Sequence, residues 1–385
     1  MTEFFSKRNQ VYPVLHRGRA AVRKCFSLEE DWARERRLYA RLGQALPLPR
    51  VLDCAPEVLV LEYLPFPHLL SVLEEQGRTG FCPAPWEALG RWLRQCHRLC
   101  GQLPADGNLR NFLWDAETRQ VFGLDLEGYA PQPLEAGAAS LLAHLLEYSL
   151  EDPSVQQRAA GCLAGQLNVE PSCAARARSS LRARRHSAPP PMTGILLAGG
   201  RSSRMGRDKA GLLLEGSSLL DCQVRKLRRL GCREILISGQ PGLAPPGLCA
   251  VPDRYPGCGP LGGLHAGLSA ASCSKCLILA VDIPLAPVQT LYQLSRAHTS
   301  GVTLLTHGQR WEPLIAVYDR ALGERIPALL SNGGAPVRQL LAQTRTAPFR
   351  YLGPEEFLEN CNTPQAYEKI CALAEEYRQK GVPLV

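Results

Sequence analysis

From Gly199 to Lys209 the chain reads GGRSSRMGRDK, a stretch in which small residues sit among cations. Gly199 and Gly200 let backbone N–H groups approach an anion closely and reach positive φ, and Arg204 and Lys209 place fixed positive charge around the same loop. The combination suits the oxygens of a polyphosphate, although the spacing is not the GxxxxGK[ST] of a P-loop. Further along, the apolar run Lys275 to Val281 delivers Asp282 into an Ile-Pro-Leu turn. A carboxylate facing phosphates is what Mg²⁺ needs, because that ion takes carboxylate and phosphate oxygens together. A lone aspartate after a strand is otherwise usually a helix cap or turn former, so the chemistry depends on the two segments meeting.

The elements that must bring them together alternate in type. Gly194 to Ala198 reads as a buried strand ending at the glycine loop, Ser218 to Leu230 has helical spacing, and Glu234–Ser238 and Lys275–Val281 read as buried strands. This alternation predicts an α/β domain with a mostly parallel sheet, whose ligands bind beyond the carboxyl ends of the strands. The segment PDRYPGCGPLGG holds a GxGxxG match at Gly257, Gly259 and Gly262. Pro256 and Pro260 make it read as a rigid loop on which a base or ribose lies, not a strand turning straight into a helix. Cys273-x-x-Cys276 has metal spacing but no second pair, and reads as two small core residues.

LAGGRSSRMGRDKAG, PDRYPGCGPLGGLHAGL, VDIPL and the late Asn360–Pro364 occur together in that order. In order and spacing they resemble MobA-type molybdenum cofactor guanylyltransferases, across roughly residues 192–380. The resemblance implies a three-layer Rossmann-like nucleotidyltransferase domain that transfers GMP from GTP to molybdopterin and releases pyrophosphate. It implies that Leu197, Ala198, Gly199, Gly200 and Ser238 border GTP, that Lys209 and Arg204 bind its phosphates, and that Asp253 lies in the nucleotide pocket. Asp282 would hold Mg²⁺, and Asn362 would belong to a closing loop on the cofactor-substrate side. Gln309–Leu314, ahead of an apolar strand, would line the pterin side or form core. After the second strand the family often has Asn near the guanine, where this chain has Ser238-Gly239-Gln240. A serine lacks the paired donor and acceptor of an amide, so cytidylyl transfer to the same cofactor, or to a sugar phosphate, is the alternative.

The N-terminal half carries a second constellation. Arg19 to Phe26 reads as a strand bearing Lys24, Asp31 to Leu42 as a helix offering Glu35, and Leu59 to Pro65 as another strand. An amphipathic helix from Trp86 to Leu99 leads to Asp106-Gly-Asn-Leu-Arg-Asn111 and then to Val121-Phe-Gly-Leu-Asp125. Asp, then Asn five residues later, then a second Asp behind a short strand, resembles the catalytic and metal loops of kinase-like phosphotransferases, over roughly residues 5–165. The resemblance implies a small α+β protein-kinase-like domain in which Lys24 pairs with Glu35 and ATP phosphates, Asp106 is the catalytic acid/base, and Asn111 and Asp125 bind metal. Pro104 stands where a histidine is usual, and the stretch Gln10–Gly18 is not glycine-rich. A non-catalytic adaptor for a molybdoenzyme or cofactor carrier is the competing reading.

Between the halves, PSCAARARSSLRARRHSAPPPM carries five arginines and no acid before three prolines, which opposes a packed core. The expected organisation is a kinase-like domain at 1–170, a linker at 171–191 and a nucleotidyltransferase at 192–385. With 44 Lys plus Arg against 36 Asp plus Glu, the net charge of +8 in 385 residues suits phosphate ligands but is too small and scattered to mark a nucleic-acid binder. The fifteen cysteines are dispersed, the first ten residues are too charged for a signal peptide, and no run is long enough to span a membrane. Free thiols in the cytoplasm are the expectation.

Overall fold

The strand Met192–Leu197 is buried at every position, and neighbouring residues on it face opposite helices. A Cβ on Gly194 would lie 3.0 Å from Leu227 of the helix Leu219–Arg229, whereas one on Gly267 of the helix Pro260–Ala270 would come within 2.4 Å of Ile195. Helices therefore cover both faces of this strand, which is the three-layer arrangement expected of a parallel sheet.

The computed structural model describes residues 9–105, 107–148, 150, 152–170, 191–199, 209–239, 242, 244–245, 247–331, 334–382 and 384. Among these, residue 9 and residues 16–170 form one unit, and residues 10–15 together with those from 191 onward form the other. The second unit has a seven-stranded sheet in the order Cys249–Val251, Glu234–Ser238, Met192–Leu197, Lys275–Ala280, Arg310–Asp319, Val302–His307, Thr346–Arg350. Every pairing is parallel except the two made by Arg310–Asp319, so the sheet is mostly parallel, as its sequence indicated. Residues 10–15 join this unit through Gln10, whose side chain donates to Arg350 O at 2.7 Å and accepts from Leu352 N at 2.8 Å.

Two details differ from the sequence reading. Pro260 is the first residue of a helix, where its missing N–H costs nothing, and Gly262 lies inside that helix. Only residues 252–259 of the glycine-proline segment are loop. The strand expected after Gln309–Leu314 already begins at Arg310. Cys273 and Cys276 are buried free thiols, as core residues would be.

The first unit pairs Arg19–Cys25, Val58–Glu62 and Val51–Ala55 antiparallel, with the helix Glu29–Leu42 following the first strand. Helices Leu69–Thr79, Ala84–Cys100, Leu134–Glu147 and Pro153–Leu167 follow, with two short hairpins among them. One core runs through Phe26, Leu38, Leu59, Trp86, Trp92, Phe112, Leu141 and Leu163. This is an α+β arrangement.

Candidate functional site

Three adjacent strand ends in the second unit are tied together by their backbones. Ala198 N and Gly199 N both donate to Ser238 O at 3.0 Å, and Val281 N donates to Leu197 O at 3.1 Å. Just past this seam, Cys361 N donates to Asp282 O at 2.7 Å, which brings the Asn360–Pro364 segment over the turn that carries Asp282. The N–H groups of Ala198 and Gly199 are thus spent on the seam. What these residues present outward is backbone without bulk.

Lys209 opens a short helical turn, Lys209–Gly211, and its Nζ lies 3.4 Å from Asp282 Oδ2 while donating to Asn362 Oδ1. The side chains of Lys209 and Asp282 are each 20% exposed, enough for a ligand to reach both. Three residues singled out from separate motifs therefore converge. Ser238 is buried, with its hydroxyl 3.0 Å from where a Cβ on Gly263 would sit. Asp253 accepts from Tyr255 N at 2.8 Å, and its carboxylate lies 2.8 Å from the Cβ position of Gly262. Only a residue lacking Cβ lets that carboxylate rest on the first turn of the helix, where the macrodipole favours negative charge. Gly200 and Arg204 lie outside the described residues.

Other residues support this end of the sheet. Gln223 Nε2 donates to Ala280 O at 3.0 Å and Ile283 O at 2.9 Å, and Lys226 Nζ donates to Pro284 O. Burial pushes the Lys226 ammonium down to about 7. On the antiparallel neighbour, Leu279 pairs with Ile315, so continuing the register from Leu279 to Asp282 brings Glu312 opposite. Burial raises the pKa of Glu312, Arg310 at 2.7 Å opposes this, and the Asp282 carboxylate adds to it. Beside it, Trp311 is 51% exposed on the same strand.

The first unit holds a denser cluster. Lys24 Nζ is 2.6 Å from Glu35 Oε2, 3.1 Å from Glu127 Oε2, and within hydrogen-bonding distance of Asp125 Oδ1. Carboxylate oxygens of Glu35, Asp125 and Glu127 lie within 4.8 Å of one another, a donor set that can hold a metal ion. Asp125 takes a left-handed backbone conformation, φ 57°, which an aspartate tolerates better than most residues. Burial would lower the pKa of Lys24, but its three carboxylate neighbours hold it well above the usual range. Burial raises Glu35 to about 7 against the pull of Lys24, and raises Glu127 in the same way. Glu35 Oε1 is buried without a hydrogen-bond partner. The backbone of Asn111 accepts from Leu124 N at 2.8 Å, next to Asp125, while Asp106 lies outside the described residues.

The sequence did not single out Glu127, Gln223 or Lys226 as members of these sites, and it offered Glu312 only within the Gln309–Leu314 segment. A signal existed for two of them: Gln223 and Lys226 interrupt the apolar stripe of Leu219, Leu220, Val224 and Leu227, where a polar residue needs a buried partner.

Residues 194–347 match the MobA-like NTP transferase domain. The chain is 34% identical over 206 residues to the probable molybdenum cofactor guanylyltransferase of Pelotomaculum thermopropionicum, covering 50% of this chain and 98% of that protein. It is 32% identical over 186 residues to the molybdenum cofactor guanylyltransferase of Xanthomonas euvesicatoria, covering 47% and 94%. It is also similar to the crystal structure of molybdopterin-guanine dinucleotide biosynthesis protein A from Archaeoglobus fulgidus, at 18% identity and a TM-score of 0.42, covering 48% of this chain and 100% of that one. Among the described residues, no helix is long and apolar enough to cross a membrane.

Proposed function

Because this chain belongs, through its C-terminal half, to the MobA-like NTP transferase family and is a nucleotidyltransferase, we propose that it transfers GMP from GTP to molybdopterin, in the cytoplasm. The observation that carries the reading is the convergence of Lys209, Asp282 and Asn362, three residues from distant motifs, at the carboxyl ends of parallel strands. A terminal phosphate of molybdopterin attacks the α-phosphorus of GTP, the α–β phosphoanhydride breaks, and pyrophosphate leaves with the electron pair. The attacking phosphate monoester is already ionised near neutral pH, so no general base is required. Positioning and charge neutralisation carry the catalysis.

The residues present fit a divalent cation: Asp282 offers a partly exposed carboxylate, and its lysine partner sits nearer one oxygen at a loose 3.4 Å. Mg²⁺ held there would offset phosphate charge and draw the reacting oxygens together. Lys209, released from Asn362 and Asp282, would pair with the triphosphate, assisted by Arg204. Leu197, Ala198, Gly199 and Gly200 would border the nucleotide, with Ser238 and Asp253 framing the pocket. Asn362 and the half-exposed Trp311 would face the pterin, Trp311 offering its ring for stacking. Mass spectrometry of the products formed from GTP, Mg²⁺ and molybdopterin tests the reaction, and competition between GTP and CTP tests the base. Asp282→Ala should abolish turnover while GTP binding falls much less; near-normal turnover in that variant overturns the assignment.

A second reading concerns residues 1–170, joined to the transferase by the 171–191 linker. The packing of Lys24 against Glu35 and Asp125 supports a kinase-like nucleotide site that takes ATP with a divalent cation. Asp106 and Asn111 would then serve the acceptor and metal. ADP formation by the full chain that survives Asp282→Ala and is lost on Asp125→Ala would establish it. Recovery of a molybdoenzyme or cofactor carrier without nucleotide turnover would favour the adaptor instead.

A further inference from the structure

We propose that Gln223 and Lys226 are positioning residues of the transferase site, holding the Ala280–Pro284 turn so that Asp282 projects into it. The inference rests on the reading that Asp282 holds the divalent cation.

Gln223 is fully buried and Lys226 nearly so, on the face of Leu219–Arg229 that otherwise packs Leu219, Leu220, Val224 and Leu227. An amide and an ammonium are expensive to desolvate without strong partners. Their partners are neither solvent nor the helix itself. They are the carbonyls of Ala280, Ile283 and Pro284, three oxygens that leave the sheet ladder as the chain turns. The remaining contacts close the account: Val281 N donates to Leu197 O, and Asp282 O accepts from Cys361 N. Every backbone oxygen from Ala280 to Pro284 except that of Val281 thus has a named partner outside the turn, and two side chains of one helix supply three of the four.

An apolar stripe alone would seat the helix on the sheet. Two buried donors aimed at carbonyls on either side of one aspartate do something more specific. They fix the height and direction of that carboxylate relative to Lys209. A displacement of about 1 Å at a reacting group can cost 100-fold in rate.

The test uses the full chain. Gln223→Met keeps the length of the side chain and removes both donors. It should lower kcat about 10- to 100-fold with the KM for GTP changed less than about two-fold. Mn²⁺ binding to the complex with a non-hydrolysable GTP analogue, followed by electron paramagnetic resonance, should weaken by about the same order. Lys226→Met removes only the Pro284 contact, should act in the same direction more mildly, and carries the test alone if Gln223→Met does not fold. Leu227→Ala, on the same helix but touching Gly194, is the structural control: its melting temperature should fall while kcat and Mn²⁺ affinity hold. If the Gln223 and Lys226 variants behave like Leu227→Ala, the inference is overturned. Asp282→Asn separates the two levels. Should it bind Mn²⁺ normally, the underlying reading of Asp282 fails. Should it lose Mn²⁺ while Gln223→Met and Lys226→Met keep it, the positioning role alone fails.

Discussion

Two lysines of this chain sit among acids, and their surroundings differ in charge balance. Lys209 meets one carboxylate, Asp282, and one neutral amide, with a fifth of its side chain still exposed. Lys24 meets three carboxylates with 4% of its side chain exposed. With all groups ionised, the first pair sums to zero and the second cluster to −2. The first lysine can exchange its partners for phosphate oxygens at small cost, because a loose, solvent-accessible pair is worth about 1 kcal/mol or less. The second is already over-neutralised, and the surplus there is negative. That site calls for a cation, whether a proton or a metal.

The largest expected effect that separates them is on folding. Lys24→Met leaves two buried carboxylates, Glu35 and Glu127, and the partly exposed Asp125 without their ammonium, and breaking a buried ion cluster from one side costs about 3–5 kcal/mol. Thermal unfolding of the full chain should show an early transition, with the nucleotidyl transfer proposed for the second unit unaffected. Lys209→Met should do the reverse, lowering kcat about 100- to 1,000-fold, as loss of a group that stabilises transition-state charge does, with the melting profile unchanged. If Lys24→Met left stability alone, the charge balance drawn above would be wrong.

A smaller effect lies in pH. Glu35 is raised from 4.5 to about 7 in the folded chain, so the folded state keeps a proton that the unfolded state has released. Stability from this source is therefore full in acid and is lost as pH rises toward and through 7. The melting temperature of the first transition should fall between pH 5 and pH 8, and Glu35→Gln should flatten that slope. Mg²⁺ or Mn²⁺ added at pH 8 should restore part of it in the wild-type chain, since a metal ion replaces the missing proton.

The two regions were also unequally legible. In the second unit, glycines mark positions where backbone passes close to another element, as Gly194 does to Leu227, Gly267 to Ile195 and Gly262 to Asp253. Lys209, Asp282 and Asn362, each carried by a different motif, lie within contact of one another. In the first unit the pairing of Lys24 with Glu35 was expected, whereas Asp125 was expected as a metal ligand and its contact with the lysine, like that of Glu127, was not. The place of Glu127 depends on the left-handed turn at Asp125, which swings the following short helix so that a second acid points back at the lysine. No periodicity announces such a turn when the residue is not glycine. The place of Glu312, which the sequence offered only as part of Gln309–Leu314, was hidden for a related reason, since only the antiparallel register of Arg310–Asp319 sets it opposite Asp282.

The smallest effect comes from a substitution that makes the surroundings of Lys209 more like those of Lys24. Asn362→Asp gives Lys209 a second carboxylate at hydrogen-bonding distance and shifts its surroundings from neutral toward the negative balance of the Lys24 cluster. The site is partly exposed, so the added attraction should be worth about 0.4–1 kcal/mol, seen as a rise of about two- to five-fold in the KM for GTP. An exposed charge is screened by salt, so the difference from wild type should shrink between low ionic strength and about 0.5 M. Asn362→Ala frees Lys209 and should leave that KM unchanged or lower. If both substitutions instead raise the KM for molybdopterin and spare that for GTP, Asn362 acts on the acceptor directly and not through the lysine.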